Sequence, residues 1–260
     1  MGREQRFVFG EVADLYDRAR PGYPEALVDD VLECCGLPAP RVLEVGAGTG
    51  KATVAFAARG LEIVALEPTA GMASVAARNV APFPAVTVEV TTFEEWRGAG
   101  VVFDVVLAAQ SWHWLRPGVR SRKDHEALRA GGILALCWNL PAWEDDGVRS
   151  ELDALYGRHA PALRRSRASR AADPREMSAI SAELRASGRF SQATLRSYHW
   201  ARHYTIEQYL DLMRTHSDHR MLAERDRRAL LEGAADVLAR RGGRCQIAYE
   251  TRLYMAPALV

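Results

Sequence analysis

The stretch from Arg41 to Thr53 reads R-V-L-E-V-G-A-G-T-G-K-A-T and carries the strongest fold signal in the chain. Its first five residues are a β-branched and apolar run that suits a buried parallel strand. Three glycines, Gly46, Gly48 and Gly50, then interrupt the run before an apolar stretch over residues 52–58. This order predicts a strand, a tight turn and a helix. Glycines tolerate positive φ and let a ligand lie against backbone N–H groups at a helix start, so the stretch predicts a nucleotide-type cofactor site.

The spacing of the glycines restricts the cofactor. A phosphate-binding P-loop has a glycine five residues before its second glycine and Ser or Thr after its lysine, but Val45 and Ala52 stand at those positions. ATP and GTP are therefore disfavoured. The dinucleotide fingerprint is Gly-x-Gly-x-x-Gly, whereas this chain has Gly-x-Gly-x-Gly, preceded by Glu44.

An acidic residue, one apolar residue and then Gly-x-Gly-x-Gly resembles the first motif of the class I S-adenosylmethionine (SAM) dependent methyltransferases. The resemblance implies that SAM contacts Glu44, Gly46, Ala47 and Gly48, and that S-adenosylhomocysteine is the product. It also implies a Rossmann-like α/β fold with a seven-stranded sheet of order 3-2-1-4-5-7-6, strand 7 antiparallel, helices on both faces and a helical cap. The apolar pattern alone predicts five β/α alternations and two late strands, without their order.

A second acid supports a nucleoside ligand. Residues 61–66 form another buried-strand run that ends in Glu67 and Pro68. Glu67 lies about 20 residues beyond the glycines, where Rossmann-like sites place an acid on the ribose hydroxyls. An ionised carboxylate accepts hydrogen bonds from both hydroxyls at once. SAM and NAD both satisfy this feature, so we expect Glu67 and Pro68 to bind the cofactor whichever it is.

The third predicted strand, residues 84–91, leads into Thr92 and Phe93. In the methyltransferases that the chain resembles, this turn holds adenine through an acidic or amide side chain and a backbone N–H. Thr92 stands where the acid usually lies, so the resemblance implies a contact through the backbone of Phe93 and a weaker one from Thr92.

The fourth strand, residues 103–109, is followed at once by Gln110, Ser111, Trp112, His113 and Trp114. Ligands of open α/β sheets bind beyond the carboxyl ends of strands, so this segment is predicted at the same edge as the glycines. Gln110 is expected to contact the cofactor. His113 is the candidate catalytic base, since its unperturbed pKa lies near neutrality, although it could instead orient neighbours or line the pocket.

Aromatic residues are the candidates for the acceptor site. One of Trp112 and Trp114 could face the positive sulfonium while the other packs. Residues 139–143 are predicted to begin a loop at the same edge, with Trp143 bordering the substrate.

The N-terminal segment Tyr16 to Pro24 is similar to the lid of a methyltransferase subgroup that includes the trans-aconitate methyltransferases. The similarity implies that Tyr16 covers the sulfonium region and that Arg20 pairs with the methionyl carboxylate. A solvated amphipathic helix followed by a turn is the alternative.

Composition gives weaker constraints on partners. The formal charge of +1 gives no indication that nucleic acid or a membrane is a partner. The arginines at 164, 165, 167 and 170 lack the interleaved aromatic residues that are typical of a nucleic-acid site. The N-terminus has no apolar signal core, so a cytoplasmic protein is predicted. The four cysteines lack metal or disulfide spacing, and no metal site is expected, although His199 and His203 have a spacing that could hold one on a helix.

We therefore expect one methyltransferase domain over residues 1–260, with lid helices (1–36), a SAM-binding core (37–140), a helical segment (141–190) and a helical cap (205–243) between strands 6 and 7. The predicted reaction is methyl transfer to a small molecule, with O-methylation of a carboxylate or hydroxyl favoured. An NAD(P)-dependent oxidoreductase and a non-catalytic SAM-binding module are the alternatives. The sequence leaves monomer and homodimer open.

Overall fold

The computed structural model describes Gly10, residues 12–163 and residues 174–260. Its seven strands form one sheet in the order β3-β2-β1-β4-β5-β7-β6, with β7 antiparallel, which confirms the predicted fold. The strands are β1 (Val42–Val45), β2 (Ile63–Leu66), β3 (Val86–Glu89), β4 (Phe103–Ala109), β5 (Leu128–Trp143), β6 (Thr194–Thr205) and β7 (Arg244–Pro257).

Helices connect the strands, and several begin at recognisable caps. Asp145 accepts from the N–H groups of Gly147 and Val148, and Thr205 with Gln208 forms a capping box. The helices are α1 (Ala13–Ala19), α2 (Glu25–Cys35), α3 (Lys51–Ala57), α4 (Ala70–Val80), α5 (Pro117–Ala127), α6 (Asp146–His159), α7 (Pro174–Ala186), α8 (Ile206–Arg214), α9 (Ser217–Arg220) and α10 (Glu224–Arg240). None of the helices in these described ranges is long and apolar enough to cross a membrane.

The chain divides into two compact units. The core unit comprises Gly22–Asn139, Pro174–Tyr198 and Thr251–Val260. In it β1 pairs in parallel with β2 and β4, and all four β1 residues are buried. Such two-sided burial is why these strands read as continuous apolar runs. Because parallel strands end at one edge, the segments that follow β1, β2 and β4 lie side by side.

The helical unit comprises Met1–Pro21, Leu140–Asp173 and His199–Glu250. Its own hydrophobic core packs α6, α8 and α10 against aromatic residues of β6 and β7. The hydroxyl groups of two buried tyrosines in this core, Tyr204 and Tyr249, form a hydrogen bond of 2.7 Å.

The structure corrects some of the predicted boundaries. Residues 139–143, predicted to begin a loop, are the last residues of β5. The strand continues because the buried polar side chain of Asn139 finds partners inside the core unit: its Nδ2 donates to Gly22 O at 3.0 Å and its Oδ1 accepts from Thr251 Oγ1 at 2.6 Å. His199 and His203 both lie on β6, so helical spacing does not bring them together. The four arginines at 164, 165, 167 and 170 lie outside the described residues.

Candidate functional site

The glycine turn links the end of β1 to α3. All three glycines have positive φ, 72° at Gly46, 61° at Gly48 and 81° at Gly50, which explains why side-chain-free residues stand there. The N–H groups of Gly46 and Ala47 both donate to Leu66 O, at 2.8 and 2.9 Å. These bonds fix the turn against the end of β2.

The three glycines also differ in what surrounds them. A Cβ on Gly46 would lie 2.6 Å from Ser111 Cβ, so this glycine makes room for the protein itself. At Gly48 the Cβ would meet only the Met72 methyl group, at 3.7 Å, an ordinary contact. Among the described residues the backbone is therefore less crowded at Gly48 than at Gly46, and its contact with a cofactor stays a prediction.

Glu44 faces into the core beneath the turn. Its side chain is buried, and its Oε2 accepts from Thr53 Oγ1 at 2.6 Å. Burial raises the pKa of Glu44 to about 8, opposed by the Thr53 hydrogen bond and reinforced by the negative charge of Glu67. Its direct contact with a cofactor stays a prediction, and the geometry gives it a role in holding the start of α3 to β1.

Glu67 follows β2 and lies beside the turn. Its Oε2 accepts from the Gly48 N–H and its Oε1 from the Thr69 N–H, both at 2.9 Å. Burial raises its pKa, against the effect of these two hydrogen bonds. The two N–H donors fix the carboxyl group in one orientation between the turn and α4, and contacts of Glu67 and Pro68 with a cofactor stay predictions.

The loop after β3 is held by local hydrogen bonds. Thr92 Oγ1 donates to Glu95 Oε2 at 2.9 Å and accepts from the Glu95 N–H at 3.2 Å. The Phe93 ring is buried and stacks on Trp96 with centroids 6.3 Å apart. The Thr92 hydroxyl therefore stabilises the turn, and the contacts of Thr92 and Phe93 with adenine stay predictions.

Gln110 is the only residue other than glycine with positive φ, 61°, among residues 12–163 and 174–260. Its N–H donates to Cys137 O at 2.9 Å, and its Nε2 donates to Asn139 O at 3.2 Å. A bulky residue in this conformation carries local strain, which is typical of binding and catalytic segments.

His113 is exposed, at the turn of 3-10 helix formed by Trp112–Trp114. The Trp138 Nε1–H donates to His113 Nδ1 at 3.3 Å. Since an indole nitrogen can only donate, Nδ1 is the unprotonated nitrogen, and the neutral ring carries its proton on Nε2.

The tryptophans separate into packing and accessible residues. Trp112 is 1% exposed, and the Arg120 guanidinium lies 3.7 Å from its ring centroid. It therefore packs, and leaves Trp114, which is partly exposed, as the candidate of the pair for a substrate contact. In the helical unit, Trp143 stands edge-on to Tyr209 at 5.3 Å and lines a cavity of about 220 Å³.

Comparison with known proteins shows similarity to methyltransferases. A family model described as a methyltransferase domain matches residues 42–132. An uncharacterized methyltransferase of Mycobacterium tuberculosis (strain H37Rv) is 36% identical over 162 residues, which are 62% of this chain and 64% of that protein. The chain thus spans less than two thirds of this relative's length. An uncharacterized methyltransferase-like protein of Schizosaccharomyces pombe is 30% identical over 160 residues, 59% of this chain and 60% of the relative.

Solved structures share the fold. A proposed type II methyltransferase from Anaeromyxobacter dehalogenans superposes with a TM-score of 0.64 at 20% identity, covering 91% of this chain and 97% of that one. The YcgJ protein from Bacillus subtilis gives 0.54 at 14% identity, covering 91% and 100%. Residues 42–132 are thus similar to a methyltransferase domain, and the fold is shared with a solved structure described as a methyltransferase. Membership in the class I SAM-dependent methyltransferases, and in the trans-aconitate subgroup, stays a prediction.

The predicted lid residues lie in the helical unit. Arg20 donates from Nε to Thr215 Oγ1 at 2.9 Å and from Nη2 to Thr215 O at 3.2 Å, and its guanidinium lies 5.1 Å from the Tyr16 ring centroid. A guanidinium carries five donors, so a carboxylate bound to Arg20 would share it with Thr215. The lid role of both residues stays a prediction.

Sequence reasoning did not assign a role to three residues whose contacts shape the site. Ser111 packs on Gly46 and donates its hydroxyl to Val45 O, which joins the β1 and β4 ends directly. Asn139 accepts from Gln110 through its backbone carbonyl. Thr53 holds Glu44. Asn139 had a usable signal, since it is polar and follows a long apolar run at a strand's carboxyl half.

Proposed function

We propose that the protein is a methyltransferase that transfers the methyl group of SAM to an oxygen atom of a small molecule, a carboxylate in preference to a hydroxyl, and releases S-adenosylhomocysteine. One observation carries the proposal: within the core unit, the glycine turn, Glu67 and the Gln110–Trp114 segment follow β1, β2 and β4, which end at one edge of the sheet. The acceptor oxygen forms the new bond to carbon while the sulfur keeps the electron pair of the broken bond.

The residues at this edge fit the cofactor. The less crowded backbone at Gly48 suits the methionyl part, the fixed carboxyl of Glu67 suits the ribose hydroxyls, and Phe93 suits adenine. SAM supplies an activated methyl group, so the protein has mainly to align the acceptor and exclude water. A phosphoethanolamine N-methyltransferase from Haemonchus contortus, solved with S-adenosylhomocysteine, shares the fold at a TM-score of 0.54 and 13% identity.

The tautomer of His113 supports an acceptor that is already ionised. Because Trp138 donates to Nδ1, the neutral ring presents an N–H at Nε2. A hydroxyl acceptor needs a base to take its proton, whereas a carboxylate needs only a donor that holds it in place. His113 in this arrangement is such a donor, and we assign it the positioning of a carboxylate acceptor.

Cofactor binding is tested first by thermal unfolding with SAM, S-adenosylhomocysteine or NAD. A ligand present at about a hundred times its dissociation constant adds roughly 2.7 kcal/mol to the unfolding free energy. We expect a shift with SAM and its product that Glu67→Ala weakens. Glu62→Ala is the matched control, since Glu62 precedes the same strand and is exposed in an ion pair with Arg41. A shift with NAD alone would refute the assignment.

The acceptor is tested by transfer of an isotopically labelled methyl group to a panel of small carboxylic acids and phenols. If His113 donates from Nε2, His113→Gln, whose amide nitrogen can replace that donor, keeps more activity than His113→Ala. If His113 is instead a base, both variants lose activity alike and phenols are the better acceptors. SAM binding without transfer to any acceptor would favour the non-catalytic module.

A further inference from the structure

Two neighbouring segments of the core unit bear the residues proposed to bind adenine and the acceptor. One is the β3 loop, Thr92–Trp96, and the other is the histidine turn, Ser111–Trp114. Glu94 of the β3 loop also contacts Arg116, two residues beyond the histidine turn: its Oε1 accepts from the Arg116 N–H at 3.3 Å and lies 3.8 Å from Arg116 Nε. What holds each segment in place is found on α5, which follows the histidine turn.

Lys123 of α5 holds the β3 loop by its backbone. Its ammonium group donates to three carbonyl oxygens: those of Phe93, of Glu94 at 3.2 Å and of Trp96 at 2.8 Å. An ammonium has three donors and no acceptor, so this arrangement uses all three. The same Nζ lies 5.1 Å from the Phe93 ring centroid, within cation–π range.

The residue type at position 123 supports a specific role. The chain has 34 basic residues, and Lys51 and Lys123 are its only lysines. A positive charge alone could be supplied by arginine, as elsewhere in this chain. Arginine is a planar fork and cannot direct three donors from one atom at three converging carbonyls, whereas lysine can.

Asp124, the next residue of α5, holds the histidine turn. Its side chain is fully buried, and its Oδ2 accepts from Trp112 Nε1 at 2.8 Å. Arg120, one helical turn earlier on the same face, lies over the Trp112 ring and donates to Trp112 O at 3.1 Å. Arg120 is itself fixed by Glu183 of α7, with Nε to Oε1 at 2.8 Å. Trp112, the residue before His113, is therefore held by Arg120 at its ring face and its carbonyl and by Asp124 at its indole N–H.

The buried Asp124 carboxyl group lowers the free energy of unfolding. Its other oxygen, Oδ1, is buried without a hydrogen-bond partner in the described part of the chain. A half-satisfied buried carboxyl destabilises the native state relative to an apolar residue of similar size. Its presence is explained if it orients Trp112.

We propose that Lys123 and Asp124 are positioning residues that place the two halves of the proposed site separately: Lys123 the β3 loop and Asp124 the histidine turn. Successive helical residues point about 100° apart, which is how one turn of α5 reaches both segments. The inference rests on the proposed function for the identity of the ligands, but the positioning itself is independent of it.

Hydrogen–deuterium exchange tests the positioning without any ligand. Lys123→Met is expected to raise exchange in residues 93–97 and leave the histidine turn unchanged. Asp124→Ala is expected to raise exchange in residues 111–115 and leave the β3 loop unchanged. Trp112→Phe removes the donor of the hydrogen bond between Trp112 and Asp124, and it replaces Asp124→Ala in the experiment if that variant fails to fold. Arg122→Met and Glu126→Gln are the matched controls, because these residues form an exposed ion pair on α5.

Ligand measurements give the functional counterpart. Lys123→Met should raise the dissociation constant of S-adenosylhomocysteine about tenfold, and Lys123→Arg should not restore it. Asp124→Ala should leave that constant within about twofold and lower kcat about 10- to 100-fold, and Asp124→Asn, which keeps an acceptor for Trp112, should recover part of the loss. If both substitutions loosen both segments alike, or if neither does, the proposal is wrong. If wild type binds no SAM or product while exchange separates as expected, only the proposed function fails.

Discussion

Replacing Gly46 by alanine tests whether this glycine of the cofactor motif serves the protein or the ligand. Its φ of 72° lies in the left-handed region, which costs other residues roughly 1–2 kcal/mol. The added Cβ would also lie 2.6 Å from Ser111 Cβ and 3.1 Å from Ser111 Oγ. Overpacking of this kind costs about 1–3 kcal/mol more. We therefore expect Gly46→Ala to lower the unfolding free energy by about 2–5 kcal/mol in the absence of any ligand.

Gly48→Ala is the matched control. Its φ of 61° carries the same backbone strain, but its Cβ would meet only the Met72 methyl group at 3.7 Å. It should cost about 1–2 kcal/mol in stability, and its further effect should appear on SAM binding. Urea unfolding of both variants, with unchanged denaturant dependence as a check on the two-state treatment, measures the difference.

A second substitution identifies the source of that difference. Ser111→Gly in the Gly46→Ala background removes the Ser111 Cβ, with which the new alanine Cβ clashes. The double variant should therefore be more stable than the sum of the single effects predicts. Equal destabilisation by Gly46→Ala and Gly48→Ala, or additive effects of Gly46→Ala and Ser111→Gly, would refute the reasoning that Gly46 is reserved for Ser111.

Three further predictions concern other residues of the fold. Burial raises the pKa of Glu44 to about 8 in the folded state against an ordinary 4.5, so the native state binds more protons between these values and the unfolding free energy falls as pH rises through them. Glu44→Gln should flatten this dependence and be more stable than wild type at pH 8 by roughly 4 kcal/mol, measured by urea unfolding across pH. Tyr156→Phe removes the hydroxyl that lies 2.9 Å from the buried His219 Nε2 and should cost about 1–3 kcal/mol in the same assay. Gln110→Gly should be more stable than Gln110→Ala by about 1 kcal/mol, because both lose the side chain and only alanine keeps the strain of positive φ; equal stabilities would contradict this.

Much of the core unit could be predicted because its signals are local. The run before Gly46 and the run over residues 103–109 are apolar on both faces, which only buried parallel strands require, and β4 has the predicted bounds. The strand order followed from the family resemblance and is confirmed. The predicted end of β5, before residue 139, was wrong because Asn139 and Pro141 are residue types typical of loops. The strand continues there because Gly22 and Thr251, remote in sequence, pair with Asn139.

The supports of the site were beyond sequence reasoning for the same physical reason. Lys123 and Asp124 stand in a charged stretch of a helix with no apolar stripe, and nothing local says that one finds three carbonyls and the other an indole. These pairs join residues that are 12 to 30 positions apart. Only the packing of α5 against the strand ends brings them together.

The two acids of the motif region show how a motif and a contact can differ. Glu44 and Glu67 both stand next to the glycine turn, at the ends of adjacent strands that pair in register. Glu44 is directed inward and its hydrogen bond with Thr53 joins β1 to α3, so it fixes where the turn begins. Glu67 holds the turn from outside by accepting from Gly48, with its carboxyl at the edge where β2 ends. The acid of the glycine motif therefore holds the turn from within the core, and a ligand contact of the acid that follows the second strand stays a prediction.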